Sequence, residues 1–372
     1  MKILILYTIN YTNLRNALTD NLYSFKNYNT DDKIIIDYLN IIPESDITDF
    51  VNKNKNYYDA IIYHWTFLSN RFQPDYKYWK NITDKVIELN GYKVAIPQDE
   101  YDTTAWLWIL FREHNIKTLF TCAYDMDNVL KVYPPEITGL KHYYKILAGY
   151  IDDNNIEKFK PSNFSDRHID IGYRARKLPE YFGKTGLNKY LVAEKFDEKL
   201  IKSKLNFDIS NQHEFLKDDW FKFLLTCKAV LGSESGSSLF DPYKEYQYNI
   251  KQYKAINPMA SFKDVEYNCF KGKDNIIIGT GVSSRIFDAA MTKTLQILLK
   301  GNYNNIITPN KHYIEINKDF SNIPEILEQL SDNNYCQKII NNCYKELVLS
   351  DKYTYKKYVK FILECLKNDI KL

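Results

Sequence analysis

Short continuous apolar runs alternate along this chain with longer stretches in which apolar positions recur at helical spacing. Ile3-Leu4-Ile5-Leu6 and Ile34-Ile35-Ile36 have no polar side to turn towards water, so they predict strands covered on both faces. Lys2–Tyr7, Lys33–Tyr38, Asp59–His64, Tyr92–Pro97 and Lys117–Cys122 read as strands separated by segments of helical length, the pattern of parallel βαβ units. The alternation lapses at Asp152-Asp153-Asn154-Asn155 and Pro161-Ser162-Asn163-Phe164-Ser165, polar stretches that suit a linker. It resumes with strands at His168–Tyr173, Leu205–Ile209, Ala229–Gly232, Asn275–Ile278 and Leu295–Leu299, and helices at Leu187–Lys202, Asp219–Cys227 and Ser283–Thr292. Helical segments at Ile323–Leu330, Tyr335–Leu349 and Tyr355–Lys367 follow.

The expected architecture is α/β, with two facing Rossmann-like domains at residues 1–160 and 161–350 and a cleft between them. A helix within 351–372 is expected to cross back onto the N-terminal domain. A length of 372 residues agrees with two domains. Hydrophobic residues at 45% and charged ones at 26% are ordinary globular usage, which excludes a disordered or fibrous chain. The 50 Lys and Arg against 47 Asp and Glu leave no large basic excess to neutralise a phosphate backbone, so no nucleic-acid partner is expected. No apolar run is long enough to span a bilayer, and the first residues lack a signal peptide's length and cleavage site. The six cysteines form no Cys-x-x-Cys pair, which points to reduced thiols in a cytoplasm and to no metal site.

Chemistry in such a fold belongs to the strand-to-helix loops. Gly279-Thr280-Gly281-Val282-Ser283-Ser284-Arg285 follows an expected strand and opens a helix, so its backbone N–H groups, the helix N-terminus and Arg285 suit a phosphate. Asp288, one turn further on, suits the hydroxyls of a ribose. The same residues read equally well as a Gly-rich turn with an Arg–Asp pair on a helix surface. Gly232-Ser233-Glu234-Ser235-Gly236-Ser237-Ser238 offers small donors and the Glu234 carboxylate for sugar hydroxyls, or simply a capped turn. Arg174 and Arg176 end the first strand of the second domain. In the first domain, His64 and the run Gln98-Asp99-Glu100-Tyr101 stand at neighbouring strand ends, where an imidazole and a carboxylate suit general-base work. His64 reads equally as a hydrogen-bonded core residue, and Asp99 as a helix cap. Asp125-Met126-Asp127 reads as acidic residues stabilising a helix start rather than as a metal-binding pair.

Asp170-Ile171-Gly172-Tyr173-Arg174, the Gly232–Ser238 run with Asp241, Ser284-Arg285-Ile286-Phe287-Asp288-Ala289-Ala290 and His312-Tyr313-Ile314 with Lys318-Asp319-Phe320-Ser321-Asn322 come in an order that resembles one family. It is that of bacterial family-1-type glycosyltransferases of the GT-B fold, related to spore-maturation-protein-like transferases. Gln98-Asp99-Glu100-Tyr101 and Phe120-Thr121-Cys122 resemble the same group. The resemblance implies a metal-independent transferase with no resident cofactor. The co-substrate would be a nucleotide-sugar donor held by the second domain through Arg174, Glu234, Ser235, Gly236, Gly281, Ser284, Arg285 and Asp288. The acceptor, a glycan or lipid-linked molecule of bacterial surface polysaccharide synthesis, would lie on the first domain near Asp99, Glu100 and His64. Asp288 stands where the family's Arg-x-Phe-Glu motif has Glu. Two other readings are a nucleotide-sugar-binding protein without transferase activity and a sugar epimerase of the same architecture. The expected location is cytoplasmic. The aromatic run Trp106-Leu107-Trp108-Ile109-Leu110-Phe111 reads first as a buried helix of the first domain, with peripheral contact at the inner face of the membrane, beside a lipid-linked acceptor, as the alternative.

Overall fold

In the computed structural model, the described residues are 1–9, 16–42, 45–73, 76–123, 125–201, 203–210, 212 and 215–371. The first sheet holds β1 (Lys2–Tyr7), β2 (Ile35–Asn40), β3 (Ala60–Tyr63), β4 (Tyr92–Ala95), β5 (Thr118–Thr121) and β6 (His142–Lys145), in the order β2-β1-β3-β4-β5-β6. Every neighbouring pair is parallel. Successive side chains of β1 serve opposite faces, as a two-residue period requires. Leu4 and Leu6 pack with Tyr63, Phe67 and Phe111, while Ile3 and Ile5 pack with Phe25, Val359 and Ile362. The helix Tyr355–Lys371 therefore covers one face of the first sheet. Its Asp369 carboxylate accepts hydrogen bonds from the hydroxyls of Thr118 at 2.7 Å and Tyr144 at 2.8 Å. Each buried aliphatic side chain in this seam contributes about 1.5–3 kcal/mol. Edge strand β6 has no apolar run in its His-Tyr-Tyr-Lys sequence and is only partly buried, which is why periodicity missed it.

The second sheet takes β7 (Ile169–Arg174), β8 (Phe207–Ser210) and β9 (Cys227–Gly232) from its first half. After these come β10 (Ser235–Ser237) and β11 (Gly279–Gly281), which form a separate antiparallel pair, then β12 (Leu295–Leu299) and β13 (Ile314–Ile316). The order is β13-β12-β9-β7-β8, all parallel. The expected strand at Asn275–Ile278 does not form. Ile276 and Ile278 are exposed there with no strand beside them, and pairing starts only at Gly279, against Ser237. Between β10 and β11 the chain inserts helices Glu245–Ile256 and Phe262–Cys269, which share a small core of Leu239, Ile250, Val265, Cys269 and Phe270. The expected helix Tyr335–Leu349 is an α-helix, Asn333–Cys343, that widens into a π-turn at Tyr344–Val348. The helix expected at Leu187–Lys202 runs Gly183–Leu200, and Lys202 lies outside the described residues.

All six cysteines are buried and free. No helix among the described residues is long and apolar enough to cross a membrane. The aromatic run of the first domain forms helix Thr104–Glu113, with Leu107, Leu110 and Phe111 in the core and Trp106 and Ile109 exposed.

Candidate functional site

The strand order of the second sheet reverses between β7 and β9, and the crevice at such a reversal is where open α/β sheets bind ligands. Arg174 ends β7 and Gly232 ends β9, and both line a cleft of about 490 Å³ that also receives Asp99 and Tyr101 of the first domain. Arg174 itself is buried. Its guanidinium meets the Asp208 carboxylate at 2.6 Å and lies over the rings of Phe215 and Phe223. Its backbone carbonyl accepts a hydrogen bond from Arg285. Arg285 is exposed and stacks on Trp220 with 4.9 Å between guanidinium carbon and ring centroid. The helix Gly183–Leu200 adds Lys189 to the same wall, where burial first and then Arg285 pull its pKa down to about 8, against the opposing pull of Asp99.

The two glycine-rich segments meet. Ser235 pairs with Gly281, Gly236 with Thr280 and Ser237 with Gly279. Gly236 has φ of +95°, and a Cβ there would overlap the Gly279 carbonyl oxygen, so glycine is required by both conformation and space. Ser233, Ser235, Gly236 and Ser283 line the cleft. Glu234 is turned to a neighbouring turn, accepting the backbone N–H groups of Asn302 at 3.1 Å and Tyr303 at 3.4 Å. Gly281 abuts Asn304, whose side chain accepts the Val282 N–H at 2.6 Å. Ser284 lies against Gly149 of the first domain's final segment.

Asp288 faces a second, smaller cavity of about 140 Å³ where the domains touch, lined also by Asp20, Asp152, Asn155, Trp220 and Tyr355. Trp220 Nε1 donates to the Asp288 carboxylate at 3.0 Å. The indole thus stands between the two residues that the sequence suggested as one phosphate-and-ribose pair, stacking with Arg285 and hydrogen bonding Asp288. Burial pushes the Asp288 carboxyl up to about 7, and burial followed by the charge of Asp152 pushes Asp20 up to about 7. Nothing in the sequence around Asp219-Trp220-Phe221 marks Trp220 as part of a site.

On the acceptor side the three suggested residues separate. Asp99 lines the cleft, has φ of +51° and accepts the Tyr101 hydroxyl at 2.7 Å. Glu100 is fully buried, accepting Thr121 Oγ1 at 2.8 Å on each oxygen and the Cys122 N–H at 3.2 Å, and burial lifts its pKa to about 7. His64 is also fully buried. It caps helix Trp65–Leu68, with Nδ1 2.9 Å from Thr66 Oγ1 and Nε2 2.8 Å from Asn21 Oδ1, and burial depresses its pKa to about 3. An imidazole so engaged has no ring nitrogen turned to the cleft. Asp125 caps helix Met126–Val132, accepting the Asn128 N–H at 2.9 Å.

Two features of this half escaped the sequence reading. Buried Arg71 donates to the carbonyls of Leu68 at 2.9 Å, Gln98 at 2.8 Å, Asp99 at 2.9 Å and Asp102 at 3.3 Å, so one guanidinium fixes the loop that carries Asp99. The same loop is joined to the second domain. Thr103 N donates to the Asp241 carbonyl at 3.1 Å, Asp241 N to the Tyr101 carbonyl at 2.8 Å and Ala105 N to the Pro242 carbonyl at 3.1 Å. Gln247 Nε2 adds a bond to the Asp102 carboxylate at 2.7 Å.

No protein-family model matches the chain, and no curated protein matches its sequence. Solved structures do resemble it. Anabaena Alr3699/HepE in complex with UDP and glucose has a TM-score of 0.56 at 10% identity, over 99% of this chain and 100% of that one. An alpha-glucosyltransferase in complex with UDP and a 13-mer DNA containing an HMU base has a TM-score of 0.52 at 10% identity, over 100% of both chains. The chain therefore has the fold that the sequence resemblance implies: GT-B, two facing Rossmann-like domains, as in glycosyltransferases.

Proposed function

We propose that this protein is a glycosyltransferase, taking a sugar from a nucleotide-sugar donor in the second-domain half of the cleft and passing it to an acceptor on the first. The observation that carries the reading is the cleft wall itself: Arg174, Lys189 and Arg285, with Ser233, Ser235, Gly236 and Ser283, line one space together with Asp99. Transfer of a glycosyl group builds positive charge at the sugar while negative charge gathers on the departing diphosphate, so fixed cations beside the phosphates do most of the work. Arg285 and Lys189 supply them in this reading, with Arg174 holding Arg285 through its carbonyl, and no metal or other cofactor is needed. UDP stands in both similar structures and is the first nucleotide to test.

Asp99 is proposed as the acceptor-side group that takes the hydroxyl proton if configuration inverts, with Glu100 and His64 shaping the strand ends behind it. Asp288 is proposed to meet the donor ribose, which requires Trp220 to yield its hydrogen bond, and Glu234 to hold the turn beneath the sugar. The acceptor is proposed to be a glycan or lipid-linked molecule of bacterial surface polysaccharide synthesis, met in the cytoplasm at the membrane's inner face, with no nucleic acid involved.

The test is thermal unfolding of the protein with UDP, GDP, dTDP and CMP, alongside Arg285→Ala. A ligand at a hundred times its Kd adds about 2.7 kcal/mol, readily seen as a higher Tm. A rise with one nucleotide that is lost in the variant supports the donor site. No rise with any of them sinks the reading. With the nucleotide known, product analysis separates transfer from epimerisation and from binding alone.

A further inference from the structure

The insertion between β10 and β11 carries a surface that the cleft does not use. Helix Glu245–Ile256 buries Ile250 and turns Tyr248, Lys251 and Ile256 outward at helical spacing. Ile256 at the end of this helix is 81% exposed and Met259 in the link to the next is 94% exposed. Tyr267 and Ile276 are exposed further along, and Tyr243 stands at the insertion's start. These apolar side chains are exposed within one short insertion, where together they offer apolar contact to a partner.

Residues 243–278 hold six lysines and four carboxylates, of which Glu245 is exposed on the first helix, one turn from Tyr248. Glu266 is drawn to Lys184 at 3.0 Å, Asp274 accepts the Lys184 N–H at 3.1 Å, and Asp264 is held in the cap of helix Phe262–Cys269. Lys254 pairs with Glu180 at 3.2 Å. Lys251, Lys263, Lys271 and Lys273 are exposed and join no ion pair among the described residues, with Lys271 lying over the Tyr267 ring at 4.2 Å. Exposed lysines interleaved with Tyr, Ile and Met match a negatively charged lipid surface, which takes the cations at its headgroups, the phenols at its interface and the aliphatic tips below them.

The position adds to the match. The segment that begins the insertion is the one clasped to the Asp99 loop, and Tyr243 meets Trp108 of helix Thr104–Glu113 at 5.9 Å, the helix whose Trp106 and Ile109 are exposed. We propose that the helical insertion at residues 243–278 is a foot that seats the protein on anionic lipid and brings a lipid-borne acceptor to the Asp99 side of the cleft. The foot's lipid binding stands by itself, whereas its delivery of an acceptor rests on the transferase reading.

The test is sedimentation of the full chain with vesicles of neutral phosphatidylcholine and with vesicles containing anionic phosphatidylglycerol, at low and high salt. Binding to the anionic vesicles is expected to exceed binding to the neutral ones at low salt and to weaken at high salt. Ile256→Ser/Met259→Ser should lower the binding constant about tenfold or more, and Lys251→Glu/Lys263→Glu should lower it at least as far. Unchanged Tm and unchanged nucleotide response in both variants would place the loss at the foot. Equal binding to both vesicle types, or binding untouched by either variant, overturns the proposal. So does a dimer in light scattering that the Ile256 and Met259 changes dissolve, because the face would then belong to a second copy. Failure here with a nucleotide-dependent Tm rise intact removes the foot and leaves the donor site standing.

Discussion

Asp102 of the first domain and Asp241 of the second pair as two residues of adjacent parallel strands would, across the cleft. The pairing uses main-chain groups of Tyr101, Thr103 and Asp241, so the loop holding Asp99 is shared between the domains. Asp102→Ala removes the acceptor of Gln247 Nε2 and of the Thr103 hydroxyl at 2.6 Å. A loss of about 1–2 kcal/mol is expected. Hydrogen exchange should quicken together at residues 99–105 and 241–247, and quickening on one side alone would contradict the coupling.

Arg71 is expected to act on rate through the loop it fixes. Arg71→Ala leaves four carbonyls without their donor and should cost about 3 kcal/mol or more. Arg71→Lys keeps the charge but not the fork, and should fold while losing most of kcat with KM for the donor little changed. A Lys variant of full rate would show that the Asp99 loop holds its shape unaided.

Replacement of the cleft carboxylate tests its role directly. Asp99→Asn should lower transfer by about 100-fold or more if Asp99 takes the proton. Nucleotide binding, measured by the Tm rise, should stay. Equal activity in the variant would assign the proton to the leaving diphosphate instead.

The carboxyls at the domain junction set a pH dependence. Asp288 and Asp20 have folded values of about 7 against ordinary values of 3.8, so the folded state prefers their protonated forms. Their contribution is fully present below about pH 4 and is lost as pH rises through about 7. Asp288→Asn should therefore unfold at a higher temperature than the wild type at pH 8. The difference should shrink towards pH 4. A variant less stable than the wild type at pH 8 would mean that the charged carboxylate is what Trp220 needs.

Gly236→Ala should separate the β10–β11 pair. Left-handed backbone and overlap with Gly279 act together, and a cost of about 2 kcal/mol or more is expected. Loss of nucleotide response should accompany it, because Ser235 and Gly236 line the cleft.

The apolar runs were enough to mark the strands of the two parallel sheets other than β6 and β13, since a strand such as Ile3-Leu4-Ile5-Leu6 can be satisfied only with cover on both faces. The turn after β9 and the strand-end Asp99 were legible for a similar local reason, since small residues and short loops after strands mark the ligand edge of such a sheet, whereas Gly279–Gly281 follows no strand and is itself β11. Contacts between distant segments were not legible, because no local pattern encodes them. Folding alone brought Trp220 between Arg285 and Asp288, Arg71 beneath Gln98 and Asp99, and Asp241 beside Asp102. It also withdrew His64 and Glu100 into buried hydrogen-bond networks. A polar side chain at a strand end looks the same in sequence whether it meets ligand or core, and only the surrounding chain decides which desolvation it undergoes.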